Sequence, residues 1–221
     1  MSKDLLHQIS ICVERGKVNK TAPFPPDMKE QDGADELTRH ALDSGTPADL
    51  ILSEGLVPGM ERIGVKFREN RVFVPEVLMA AKAMTAGMNH LRPYFQSGEV
   101  KRKGVFIIGT VMGDLHDIGK NLLGMMVEGA GWEVIDLGID VPASKFISAL
   151  EEYPNGYIGL SCLLTTTMLN MEKIVEDIQA AKPDTKILIG GAPVTDDFKT
   201  KIGADWYSAD PQGAVEYLNN Q

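Results

Sequence analysis

From residue 104 to the C-terminus, short apolar runs alternate with stretches of helical spacing, and this alternation constrains the fold more than any other feature. The runs of strand length are Val105–Val111, Val134–Leu137, Tyr157–Cys162, Lys186–Ile189 and a weaker Trp206–Ser208. Helical spacing fills the intervals at Gly119–Gly129, Ala143–Tyr153, Met168–Ala181, Asp196–Ile202 and Gln212–Leu218. Buried strands in strict alternation with helices imply a parallel sheet covered on both faces. Residues 104–221 are therefore expected to form an α/β, flavodoxin-like domain, a doubly wound five-stranded parallel sheet. Its ligand should lie beyond the carboxyl ends of the strands.

Upstream the apolar period is helical. Residues 34–96 predict an all-α four-helix bundle, with helices at Asp35–Ser44, in two pieces across Ala48–Glu69, and at Pro75–Phe95. Thr46 is the expected N-cap of the second helix, with Pro47 at its first position. Pro58 within Gly55–Gly59 predicts a bend or break. Residues 97–103, which include Gly98, form the expected interdomain linker and a hinge. Residues 1–33 are expected to be an N-terminal arm, with a short helix at Leu5–Arg15 and an extended segment enforced by Pro23, Pro25 and Pro26.

A net charge of −9 and a pI near 5.0 argue against a nucleic-acid partner, which demands clustered Lys and Arg. The run Lys101-Arg102-Lys103 reads as a solvated linker. Cys12 and Cys162 form neither a disulfide framework nor a metal-type pair. No apolar run reaches the roughly 18 residues of a membrane span. The N-terminus lacks the pattern of a secretion signal, so no membrane partner and a cytoplasmic location are expected.

The chemistry concentrates in the loop after the first strand, Gly109-Thr-Val-Met-Gly-Asp-Leu-His-Asp-Ile-Gly-Lys-Asn. It carries Asp114, His116, Asp117 and Gly119 just where this fold places its ligand. A carboxylate near a histidine accepts the proton of one ring nitrogen and makes the other a better metal ligand. One imidazole cannot hold a free zinc ion, which wants three or four protein ligands. A metal would therefore have to arrive already chelated, and a corrin ring leaves one axial position for an imidazole. In isolation, Asp-x-His reads as a helix-start cluster on an exposed loop; Asp-x-His-x-x-Gly between a strand and a helix is far more specific.

Asp114-Leu-His116-Asp-Ile-Gly119 resembles the cobalamin-binding signature of cobalamin-dependent methionine synthase, the B12 mutases and the corrinoid proteins of anaerobic methyltransferase systems. Two further signatures fit: Ser161-Cys-Leu163 after the third strand, and Gly190-Gly191 after the fourth. The resemblance implies His116 as the lower cobalt ligand. It places Gly113, Asp114, Asp117, Ile118 and Gly119 around the cofactor, and sends the displaced nucleotide tail into a pocket along the sheet. Ser161 and Thr165 would hydrogen-bond the tail, and Gly190 and Gly191 would let it approach the backbone. Thr167 would complete a relay with His116 and Asp114, and Ser208-Ala209-Asp210 matches the last tail-contacting loop more loosely. Cys162 reads as a buried structural thiol. Upstream, Ser53–Met60, Phe67 and Val72–Met79 resemble the helical cap of methyl-transferring B12 proteins, with Phe73 and Met79 shielding the upper corrin face.

A cap plus one B12 module, without further domains, is similar to free-standing corrinoid proteins. These are one subunit of a methyltransferase system rather than complete enzymes. The implied activity is methyl carriage, cycling Co(I) and methyl-Co(III) on cobalamin or a related corrinoid. The implied partners are a donor-specific methyltransferase, a tetrahydrofolate or coenzyme M methyltransferase and a reductive activating protein. Among donors (methanol, methylamines, betaines, aryl methyl ethers) the expectation leans to methyl ether demethylation, an O-demethylase system with tetrahydrofolate as acceptor. The alternatives are a B12-dependent sensor or regulator, a mutase small subunit and a storage protein. The first two are weakened by the lack of a basic recognition helix and by the cap.

Overall fold

The computed structural model describes residues 2–221, which divide into a helical unit and an α/β unit. In the α/β unit, β1 (Val105–Thr110) leads through a loop into α6 (Ile118–Gly129). Then follow β2 (Glu133–Asp136), α7 (Ala143–Glu152), β3 (Tyr157–Ser161), α8 (Met168–Ala181), β4 (Ile187–Gly190), α9 (Asp196–Ile202), β5 (Trp206–Tyr207) and α10 (Pro211–Asn219). The sheet has the order β2-β1-β3-β4-β5 and every pair is parallel. This is the flavodoxin-like doubly wound order, whose switch point falls between β1 and β3.

Side chains of a strand alternate between the two faces of its sheet. Ile107, Ile158, Leu160, Ile187 and Ile189 join one core with α7, α8 and α9 residues such as Phe146, Met171, Ile174 and Ile202. The opposite face carries Ile108, Gly159, Ser161, Leu188 and Gly190 beneath α6 and α10. Because both faces are covered, β1 and β3 are continuous apolar runs, the pattern that made them legible as strands.

The helical unit contains α1 (Ser2–Arg15), α2 (Ala34–Asp43), α3 (Ala48–Leu50), α4 (Val57–Arg68) and α5 (Val74–Gln96). The segment read as an arm supplies α1, whose Leu6, Ile9 and Val13 are buried. The Glu14 carboxylate pairs with Arg62 and Lys66 of α4. Donation from Lys66 and Arg62 outweighs its burial and lowers its pKa. At Gly55–Gly59, where the sequence predicts a bend or break, the chain does not leave the helix. Instead a π-helical turn, Ile51–Leu56, joins α3 to α4, with the Val57 N–H bonded to Leu52 O. Pro58 has no N–H to give, and one wider turn absorbs the loss without ending the helix. Gly59 serves close packing, since a Cβ there would meet Ser10 O and Val13 of α1.

The second helix begins one residue later than expected. Pro47 occupies its N-cap position, and the buried Thr46 uses its own N–H on Ala41 O. Past α5, Val100 is buried and the Arg102 guanidinium lies 4.1 Å from the centre of the Phe95 ring.

Candidate cofactor site

Asp114 is fully buried at the carboxyl end of β1, and its carboxylate accepts five donors. Oδ1 takes the backbone N–H of His116 at 3.1 Å and its ring Nδ1–H at 2.8 Å. Oδ2 takes the N–H groups of Leu163 (2.7 Å) and Leu164 (3.2 Å) and the Thr167 hydroxyl (2.9 Å). Burial alone would raise the Asp114 pKa. The N–H groups of Leu163 and His116, with the His116 ring and Thr167, reverse it and hold the group far below the usual carboxylate range. One charge therefore orients the histidine and ties the β1–α6 loop to the β3–α8 loop across the switch point.

A carboxylate only accepts, so the proton of neutral His116 is fixed on Nδ1 and Nε2 carries the lone pair. The imidazole is 51% exposed. The Thr110 hydroxyl holds the His116 carbonyl at 2.9 Å and pins the loop from below. Met112, Leu115, Ile118, Ile139, Leu163 and Leu169 leave large apolar surfaces exposed on the same unit, Ile118 at 74%. Exposed apolar area on this scale marks a surface that something else covers.

Thr167 extends the pair to a chain of three. Its Oγ1 also lies 3.1 Å from the Cys162 thiol, which reaches Leu164 O at 3.1 Å. With the Thr167 proton committed to Asp114, the Cys162 S–H satisfies Leu164 O. Burial, chiefly, pushes the Cys162 thiol pKa up, as expected of a structural cysteine.

Behind the loop a cavity of about 360 Å³ runs along the sheet beneath α6 and α10. Ser161, Gly190, Gly191 and Ala209 line it. At Gly190 a Cβ would meet nothing nearer than Ser208 O at 3.6 Å, so the backbone there lies open to a ligand. Gly191 has a second reason to be glycine: at φ +129°, a Cβ would overlap the carbonyl of Cys162. Gly119 also borders the cavity, with no atom within 4 Å of where its Cβ would stand.

The remaining expected residues are placed as follows. Gly113, at φ +82°, gives its N–H to Asp140 Oδ1 at 2.7 Å. Asp117 closes the first turn of α6, its carbonyl and Oδ2 receiving the Asn121 N–H and side-chain amide. Thr165 stands exposed on the short turn before α8 rather than in the cavity wall. In the helical unit, Phe73 is 66% exposed at the start of α5, and Met79 is half-buried against Gly16. Sequence reasoning missed Thr110, Asp140, the Leu164 amide and Asn170, whose side chain donates to Met112 O at 2.7 Å. None carries a motif.

The residues fit a corrinoid. Among the described residues no group of three His, Cys, Asp or Glu is placed to hold a bare metal ion. A single oriented imidazole amid apolar surface suits a metal already bound in a planar macrocycle, and the cavity offers room for an appended tail. Comparison with known proteins agrees. Residues 104–216 match the family described as B12 binding domain, and residues 30–92 match a second family of the same description. The chain is 42% identical over 172 residues to dimethylamine corrinoid protein 2 of Methanosarcina acetivorans, covering 76% of this chain and 79% of that one. It is 38% identical over 186 residues to the trimethylamine corrinoid protein of Methanosarcina barkeri, covering 82% and 86%. The methanol:cobalamin methyltransferase complex MtaBC of Methanosarcina barkeri superposes with a TM-score of 0.81 at 25% identity, covering 98% of this chain and 79% of that one. A cobalamin-binding protein of Desulfitobacterium hafniense gives 0.71 at 30% identity, covering 84% and 89%. With its fold, its oriented histidine and these relatives in agreement, the chain belongs to the B12-binding family, among the cobalamin-dependent corrinoid proteins of methyltransferase systems.

Proposed function

We propose that this chain is the methyl carrier of a multi-component system, receiving a methyl group from a donor-specific methyltransferase and yielding it to one acting on tetrahydrofolate or coenzyme M. The observation that carries the reading is His116, fixed through Nδ1 by Asp114 and presenting Nε2 at an apolar surface. Bound there, the corrinoid supplies a cobalt centre able to accept and release a methyl group. Asp114 sets the direction and basicity of Nε2. The His116 Nδ1–H and the Thr167 hydroxyl donate to one carboxylate, so a proton gained or lost along this chain alters what His116 offers a metal. The exposed apolar rim excludes water from the face it covers.

Donor choice rests with the partner enzyme. A methylated amine is favoured over the methyl ether expected from sequence, because close relatives are named for dimethylamine and trimethylamine. The same relatives disfavour a regulator or a mutase subunit. A reductive activating protein completes the set of partners, all in the cytoplasm.

The first test is the absorption spectrum after reconstitution with methylcobalamin. The native chain should take up one equivalent with a base-off, His-on spectrum, which His116→Ala loses. Failure to bind corrinoid would sink the reading. Methyl transfer assayed with dimethylamine-, trimethylamine- and ether-specific methyltransferases then decides the donor.

A further inference from the structure

A turn stands directly ahead of Asp114. The Asp114 N–H closes it on Val111 O at 3.1 Å, and its third residue, Gly113, lies at φ +82°. A positive φ at that place is the mark of a type II turn. Type I and type II turns interconvert by turning over the central peptide, here Met112–Gly113, and glycine permits both. A joint that can rotate therefore precedes the carboxylate that orients His116.

Both ends of this peptide are gripped from other elements. Its carbonyl, Met112 O, accepts the side-chain amide of Asn170 from α8 at 2.7 Å. Its N–H, on Gly113, donates to Asp140 Oδ1 from the β2–α7 loop, also at 2.7 Å. The Asp140 N–H in turn reaches Asp114 O at 3.1 Å. Turned over, the peptide would set its oxygen against a carboxylate and its N–H against an amide NH2. Neither gripping residue is the one its own position prefers. Asp140 lies at φ +54°, in the left-handed region that glycine fills at less cost. Asn170 occupies a helix, where alanine is the better former. Asp140 is exposed and Asn170 half-buried, so neither is there to fill a core.

We propose that Asp140 and Asn170 are positioning residues, a two-ended clamp on the Met112–Gly113 peptide. The clamp keeps Asp114 aimed at His116 and so holds the Nδ1–H tautomer whose Nε2 is free to ligate cobalt. Its value for cobalt ligation rests on the cobalamin assignment; its action on His116 does not.

The test substitutes the residues that local structure prefers. If backbone preference were all, Asp140→Gly and Asn170→Ala would be neutral or stabilising. Two readouts apply: the ring 15N shifts of His116 in the apo-protein, taken well above the histidine titration range, and the dissociation constant of methylcobalamin on the full chain. Each variant should lower the share of the Nδ1–H tautomer and weaken methylcobalamin about fivefold, the weight of one net hydrogen bond. Asp140→Asn keeps an acceptor and tolerates the left-handed region, so it should match the native chain. The double variant Asp140→Gly, Asn170→Ala should lose less than the product of the two, because both residues hold one peptide. Native tautomer and affinity in either single variant would overturn the clamp. So would an Asp140→Asn variant as weak as Asp140→Gly, losses that multiply in the double variant, or weaker binding with the tautomer unchanged. A native chain that binds no methylcobalamin would instead refute the cobalamin assignment, and the 15N shifts would still decide the clamp.

Discussion

At the scale of single residues, Asp114 matters beyond its place in a motif. Asn in its place would keep one carbonyl oxygen and turn an NH2 group toward a ring of donors. Asp114→Asn should therefore destabilise the apo-protein by about 3 kcal/mol, measured by urea denaturation, and weaken the His-on spectrum after reconstitution. The pH dependence has a definite sign. The folded-state pKa is depressed, so the contribution of Asp114 is fully present above the unfolded carboxylate value of about 3.9 and fades as pH falls below it. Native apo-protein should lose stability through that acid range more steeply than Asp114→Asn. Thr167→Ala removes one of the donors on Asp114 Oδ2 and leaves the Leu163 and Leu164 amides in place. It should bind cobalamin with little loss yet shift the pH at which the His-on spectrum gives way.

At the scale of elements, two close approaches set the architecture around the site. The β3–α8 and β4–α9 loops meet at Gly191 against the Cys162 carbonyl. Gly191→Ala combines overlap with a strained positive φ, and should cost more than about 2 kcal/mol in urea denaturation. In the helical unit, Gly59 lets α4 lie on α1, and the Glu14 carboxylate draws Arg62 and Lys66 to the same seam. Glu14→Ala takes the carboxylate from two cations, of which Arg62 keeps Ser10 Oγ, and should cost about 1–2 kcal/mol, read as a lower melting temperature. The strands were legible because sheet burial on both faces leaves long apolar runs such as Phe106–Ile108. The π turn was not, since proline and glycine together signal a break unless tertiary packing holds the helix through them.

For the whole molecule, the cofactor is a ligand of the folded state alone. Cobalamin at about 100 times its dissociation constant should add ~2.7 kcal/mol to the α/β unit, and its removal should reverse the gain. Calorimetry of the native chain with and without hydroxocobalamin checks this, and His116→Ala should show a smaller shift. A hinge in residues 97–103 would have to lie past the packed Val100 and the Arg102–Phe95 stack. Limited proteolysis should then cut near Lys103 sooner than at Gly98, whose N–H is bonded to Phe95 O at 3.2 Å.

The order of strands and helices, and the loop that carries His116, were determined by sequence alone. Period and motif are local properties, and parallel connections admit few topologies. Tertiary structure decided what the loop is built into. Leu163 and Leu164 reach Asp114 through backbone N–H groups, and every residue except proline has one, so no residue type announces them. Likewise α1 is an ordinary amphipathic helix in sequence, and becomes part of the core only where Gly55 and Gly59 leave room for it. Lys120 carries no burial signal in sequence, and the fold alone buries its side chain and pairs its ammonium with Asp136.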